Sequence, residues 1–430
     1  MVNRGDGPDA GAADFVERLL APAVGALRPP TALSPLPFDL NAGVPDAATL
    51  PARDLAEAAR RALERDPAGA LTYGGALGYE PLRAWIAERQ SAETGVALTA
   101  ANVTLTSGSA HAIDNLAATF LGPGDVVITP APTYPGAVRA FRARGARVAP
   151  VPQDSDGIDP GALAEALRRL EAAGAPAKLV YVVANYDNPS GSTLPWERRT
   201  ELAALARGHG ALIVEDDAYA GIDLDGPPPR PLFAAAGGRG ILRVGTFSKT
   251  IATGLRVGWI TAAPSIVERL SFMRFDNGAS PFAQRTVYEY LSAGGYDAHV
   301  AVLRDLYRER RDVSARALSE LCGAHVTFRR PAGGFFHWLR LSGGLRAPAV
   351  VAAAAHEGVA VTPGANYYPD PGARPPGAPP PGERGESELR LVYSAHPPAT
   401  LREAIARFAG ALSRVAAGAP PPAHRPPPVL

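Results

Sequence analysis

The chain has 430 residues, with 43 basic and 42 acidic side chains and a net charge of +1. That balance argues against a protein whose main task is to hold nucleic acid or an anionic membrane by charge. A hydrophobic share of 46% excludes wholesale disorder, and no run of about 18 uncharged apolar residues predicts a membrane helix.

In chain order, the Ala/Gly/Pro-rich start predicts an N-terminal arm over 1–35, with one short apolar piece, Phe15 to Leu20. It shows no apolar core of a secretory signal. Apolar spacing is helical from Leu55 to Leu63 and from Glu80 to Arg89. Between them LTYGGALGY (71–79) reads as a loop with close backbone approaches. From about residue 100 to 270 strand and helix patterns alternate. The strands are NVTLTSG, DVVITP, ARVAPVP, KLVYVVAN, ALIVEDDAY, ILRVGTFSK and VGWITAA. This predicts an α/β fold with a mostly parallel sheet covered on both faces. After about residue 295 a long Arg-rich helix (298–321) leads into HVTFRR, GGFFHWLRL and ELRLVYSA, which alternate like antiparallel strands. The resulting division is a large domain over 61–295, a small α+β domain over 36–60 and 296–414, and a disordered Pro-rich tail over 415–430. A second Pro-rich stretch, 370–386, reads as a mobile insertion. One cysteine, Cys322, permits no internal disulfide and suits a reducing cytoplasm.

The chain has only two lysines, Lys178 and Lys249; the other basic residues are arginines. A surviving lysine in such a background is a candidate for a task that permanently charged arginine cannot perform, such as attack on a carbonyl. Lys249 sits in GTFSKTIATGLRVGW (245–259), with hydroxyls at Thr246 and Ser248 and a planar cation at Arg256. On its own it reads equally as a surface lysine in a polar loop. EDDAY (215–219) puts carboxylates at the end of an apolar strand, where open α/β sheets bind ligands; an N-cap or a surface acidic pair reads as well. NYDNPSG (185–191) offers Asn188 in a tight turn. TSGSAHAID places Gly108 and Ser109 at a helix start, where amides can cradle phosphate.

In order and spacing these segments resemble the class I/II aminotransferases of the fold type I pyridoxal 5′-phosphate enzymes, in the branch of kynurenine/aminoadipate aminotransferases. The resemblance runs from FDLNAG at 38 to the ELRLVYSA strand, and Ser248-Lys249 with GLRVGW and EDDAY carry it. It implies a large domain with a seven-stranded-type sheet and a small α+β domain. It implies that Lys249 forms a Schiff base with pyridoxal 5′-phosphate and moves the substrate's Cα proton. By the same resemblance Asp216 pairs with the pyridine nitrogen, and Asn188 and Tyr219 bond the phenolic oxygen. Tyr134 stacks on the ring. Gly108, Ser109, Ala110, Thr246, Ser248 and Arg256 hold the phosphate. Tyr73 reaches the phosphate in a neighbouring subunit, which implies a homodimer. Arg390 clamps the substrate carboxylate, with Asn188 and Gly43 beside it. The implied reaction moves an amino group from an amino acid to a 2-oxo acid. The single cysteine places it in the cytoplasm, and the departures from the family pattern point to a specialised substrate, so a specialised biosynthetic pathway is expected.

The sequence also departs from the family pattern. Ala110 and His111 replace a glutamine pair, Asp187 stands before Asn188, and Thr253 replaces a proline. These departures keep a second reading open: elimination, replacement or carbon–carbon bond formation on an activated amino acid such as S-adenosylmethionine. A regulator with an aminotransferase-like part is a third, disfavoured because fewer than 40 residues precede FDLNAG. The histidines show no metal-ligand spacing.

Overall fold

The structure, a computed structural model, describes residues 15–25, 27, 34–369 and 384–418. Most of the 370–386 stretch, the end of the tail and part of the N-terminal arm therefore lie outside the described residues. Among those described, no helix is long and apolar enough to cross a membrane.

The strands, in chain order, are β1 (Phe38–Asp39), β2 (Val103–Thr106), β3 (Val126–Ala131), β4 (Arg147–Asp154), β5 (Gly157–Ile158), β6 (Ala177–Val183) and β7 (Leu212–Asp216). They continue with β8 (Ile241–Thr246), β9 (Gly258–Thr261), β10 (Val326–Phe328), β11 (Phe336–Leu341), β12 (Val359–Ala360), β13 (Thr362–Pro363) and β14 (Glu388–Val392). One sheet has eight strands in the order β2-β9-β8-β7-β6-β3-β4-β5. The two-residue β5 is the strand beyond the expected seven. The run β8-β7-β6-β3-β4 is parallel throughout, whereas β9 is antiparallel to both β2 and β8. The sheet is thus mostly parallel, with VGWITAA supplying the reversed strand. A parallel return needs a crossover of about a dozen residues or more, usually helical. The segment from β8 to β9 instead spends its length on the Lys249 turn and a 3-10 turn, Thr253–Leu255.

β6 explains why the sheet is buried on both faces. Its apolar run splits by strand alternation: Leu179, Tyr181 and Val183 join one core cluster, while Val180 and Val182 join another. The crossover helices start where the sequence allows. Pro135, Pro160 and Pro264 occupy first-turn positions, where the missing amide costs nothing. Asp159 accepts from the amide of Ala162 at 2.7 Å and caps its helix.

A second sheet, β10-β11-β14-β13, is antiparallel throughout, as the alternation of its strands predicts. Helices Tyr296–Cys322 and Pro398–Ala416 pack against each other beside it. Two expected boundaries fall inside helices. Ala52–Arg65 runs unbroken across 60/61 and packs on Pro281–Ser292, and the last helix continues past 414 to Ala416. The short β1 pairs in parallel with β12 and delivers Asn41 to Gly43 to the space between the two sheets.

Candidate active site

The carboxyl ends of β6, β7 and β8 converge on a cavity of about 280 Å³. Chain reversal at a parallel strand's end leaves such a crevice, and the loops there supply the polar groups. The end of β7 and the residue after it are three consecutive carboxylates with three different fates, and alternation separates Asp216 from the other two. Glu215 accepts from the amides of Leu232 and Phe233 at 2.7 and 2.9 Å and caps a short helix. Asp217 receives Asn185 Nδ2 at 3.1 Å and Arg243 Nη2 at 2.5 Å on the far face of the sheet. Asp216 alone turns into the cavity. Its Oδ2 accepts from the Tyr181 hydroxyl at 2.7 Å, and its Oδ1 has no partner. Burial pushes its pKa up to about 6.

Lys249 follows β8 and reaches the same cavity, where Nζ donates to the carbonyl of Gly43 at 2.8 Å. Burial, with Arg390 and then Arg256 nearby, pushes its pKa down to about 8, against the opposing pull of Asp216. Beside it, Thr246 Oγ1 donates to the carbonyl of Val257 at 3.1 Å and shares a hydrogen bond with Ser248 Oγ at 2.9 Å. Thr246 thus braces the turn from behind, and Ser248 lines the cavity.

Arg256 adopts a left-handed backbone (φ 52°) and donates to the carbonyls of Thr253 and Ser107, both at 3.1 Å. It lies over the first turn of helix Gly108–Phe120, whose residues Ser109 and Ala110 face the cavity. This wall depends on two glycines. A Cβ on Gly258 would stand 2.6 Å from the Gly108 carbonyl carbon, and one on Gly108 would stand 2.5 Å from Arg256 Nη2. The unpaired amides of a helix start, a guanidinium and two serine hydroxyls form an anion cradle of phosphate character.

On the opposite wall Arg390 projects from β14. Nη1 donates to Asn188 Oδ1 at 2.8 Å, Nη2 donates to the Asn41 carbonyl, and Nε has no partner. Its guanidinium lies 4.5 Å from the ring centroid of Phe336 and 5.0 Å from that of Tyr367. Asn188 occupies a turn with a cis Asn188–Pro189 peptide. Tyr134 and Tyr219 complete the lining, and Tyr219 is fixed edge-on by Phe335 and Phe336.

Of the residues picked out from the sequence, the cavity gathers Gly43, Ser109, Ala110, Tyr134, Asn188, Asp216, Tyr219, Ser248, Lys249, Arg256 and Arg390. Gly108 and Thr246 support its wall. Tyr73 does not join it within one chain: the residue is 85% exposed. His111 is not part of the wall. Its Nδ1 accepts the Ser107 amide at 3.1 Å and faces Asp276 at 3.9 Å, so it serves the helix start. Asp187 likewise serves its own turn, accepting from Ser190 Oγ at 2.6 Å. Sequence reading missed Tyr181 and Phe336. The available signal for Tyr181 was a phenol in the middle of a buried apolar strand, where its hydroxyl must find a partner.

The family model for aminotransferase class I and II matches residues 37–408. An aromatic-amino-acid aminotransferase of Thermococcus litoralis is 31% identical over 86% of this chain and 87% of its own. A 2-aminoadipate transaminase of Thermus thermophilus is 31% identical over 86% of this chain and 88% of its own. Among solved structures, Pyrococcus horikoshii kynurenine aminotransferase, in complex with PMP, superposes with a TM-score of 0.85 at 28% identity, covering 94% of this chain and 99% of that one.

Proposed function

The chain belongs to the class I and II aminotransferase family, and from that premise we propose how its cavity carries the reaction. It is a pyridoxal 5′-phosphate-dependent aminotransferase acting on amino acids. The cofactor, when bound, supplies an aldehyde that joins to amines and a pyridine ring that accepts the electron pair left at Cα. The residues fit that group. A buried carboxylate with one free oxygen, Asp216 Oδ1, waits at one end, and a glycine-bounded anion cradle lies at the other.

In this reading Arg256, Ser109, Ser248 and the first amides of helix Gly108–Phe120 hold the phosphate. Asp216 holds the ring nitrogen's proton, Asn188 and Tyr219 serve the phenolic oxygen, and Tyr134 covers the ring. Arg390 binds the substrate carboxylate with its planar fork, exchanging its bonds to Asn188 and Asn41 for the two carboxylate oxygens. Lys249 Nζ, with a pKa near 8, is deprotonated readily enough to attack a carbonyl. The same atom then takes the proton from the substrate Cα, a transfer that needs a base matched to neutral pH. Burial of Lys249 and Asp216 keeps water away and strengthens each of these charges.

The names of the relatives support an amino donor with an aromatic or long acidic side chain and a 2-oxo acid acceptor. A homodimer with shared sites is part of the same reading. Leu71, Tyr73, Phe272 and Phe275 are 70, 85, 57 and 86% exposed, more bare apolar surface than a lone chain usually shows in one region. The loops that follow them touch, since a Cβ on Gly278 would collide with the Gly75 carbonyl oxygen.

The observation that carries the proposal is Lys249 placed in one cavity with Asp216, Arg256 and Arg390. The test is a single turnover of the cofactor-loaded enzyme with phenylalanine, tyrosine, kynurenine, 2-aminoadipate and glutamate. Conversion of bound cofactor to its amine form, with release of one equivalent of 2-oxo acid, is expected for at least one of them. An enzyme that releases a leaving group from activated amino acids and never yields the amine form contradicts it.

A further inference from the structure

We propose that Tyr181 is a positioning residue: by engaging Oδ2 of Asp216 it turns Oδ1, the remaining oxygen, toward the cavity. The inference rests on the functional reading above and extends it to a side chain outside the cavity lining.

β6 and β7 run parallel, with Val183 opposite Asp216 and Tyr181 opposite Val214. Tyr181 is thus the diagonal neighbour of Asp216 on the same face, at a spacing that a tyrosine can bridge. Its ring is fully buried and held edge-on by Phe141, with centroids 5.7 Å apart. The ring therefore has little freedom, and its hydroxyl meets Oδ2 at 2.7 Å. A phenylalanine would fill the same volume, so packing alone does not require the hydroxyl.

A buried carboxylate with no donor would be free to rotate and would hold its proton more strongly. The Tyr181 hydrogen bond opposes both: together with a backbone hydrogen bond from Ala218 it favours the charged form of Asp216, against burial and the nearby Asp217 and Asp187 charges, which raise its pKa. From behind the sheet, the buried Arg243 joins the adjacent Asp217 to Glu93, fixing the end of β7. Strand position and side-chain torsion are thus held by separate contacts.

The test is a double-mutant cycle on the cofactor-loaded enzyme using Tyr181→Phe and Asp216→Asn. Two readouts are used: the cofactor dissociation constant by absorbance, and the pH at which the bound ring nitrogen loses its proton. Tyr181→Phe is expected to weaken cofactor binding by about tenfold or more, the usual scale for a hydrogen bond to a charged group. It should also move the pH of the ring-nitrogen titration. In the Asp216→Asn background the same substitution should change affinity by less than about twofold. A Tyr181→Phe enzyme with native cofactor affinity and an unmoved titration overturns the inference. So does an equal loss in both backgrounds, which would mean a purely structural role. If the unmutated protein takes up no cofactor, the functional reading itself fails, and that outcome is distinct from either of these.

Discussion

Arg390 Nη1 donates to Asn188 Oδ1 at 2.8 Å, joining the antiparallel sheet to the turn after β6 across 202 residues of sequence. The guanidinium is therefore aimed before any substrate arrives. Its Nε has no partner, so the guanidinium keeps an unused donor beside the two that a bidentate carboxylate would take over.

Replacing Arg390 with lysine keeps the charge and removes the fork. We expect kcat/KM for the amino donor to fall about a hundredfold, mainly through KM, with cofactor affinity little changed. Steady-state kinetics with both the amino acid and the 2-oxo acid check this. Equal kcat/KM in the two enzymes would remove Arg390 from the substrate wall.

The pH dependence of cofactor capture follows from Lys249. Its amine attacks only when neutral, and its pKa is pushed down to about 8. Capture by the cofactor-free protein should rise about tenfold per pH unit up to that point and then flatten, because the neutral fraction does so. Stopped-flow absorbance measures it. A rate that keeps climbing to the range of an ordinary lysine, about 10.4, would mean that burial and the two guanidiniums do not act on this amine.

Gly258→Ala should disrupt the anion cradle, because the added Cβ would stand 2.6 Å from the Gly108 carbonyl carbon. Overpacking against backbone costs about 1–3 kcal/mol, and here that strain falls on the helix start facing the phosphate. Thermal unfolding with and without the cofactor should show lower stability and a smaller increment on binding. A variant stabilised by the cofactor as much as the native protein contradicts the cradle.

Phe275, 86% exposed in the single chain, should be covered in a dimer. Light scattering is expected to give about twice 44.6 kDa for the native protein and a lighter species for Phe275→Glu, since a buried charge without a partner is costly at an apolar contact. A native monomer with full activity would exclude shared sites.

How far the sequence told this in advance depends on the kind of contact. Strands such as β6 and β7 declare themselves by continuous apolar runs. Lys249 was legible as one of two lysines, set beside a turn, whereas Asp216, flanked by two other carboxylates, drew its expected role from the family resemblance. The reversed direction of β9 was hidden, since strand patterning carries no direction; only the missing crossover helix betrays it. Tyr181 was hidden too. It looks like one more apolar residue until the register of β6 against β7 sets its hydroxyl beside Asp216. His111, which stands where the family pattern has a glutamine, accepts the Ser107 amide within its own helix start.

The central claim is that Lys249, and not Lys178, carries the cofactor. Lys178 is bound to Asp125 at 2.7 Å on the outside of the sheet. The most direct measurement is borohydride reduction of the cofactor-loaded protein followed by peptide mass spectrometry. The reduced cofactor is expected on the peptide containing Lys249 alone, with Lys249→Ala showing no label and no turnover. Label on Lys178, or turnover that survives Lys249→Ala, would contradict it.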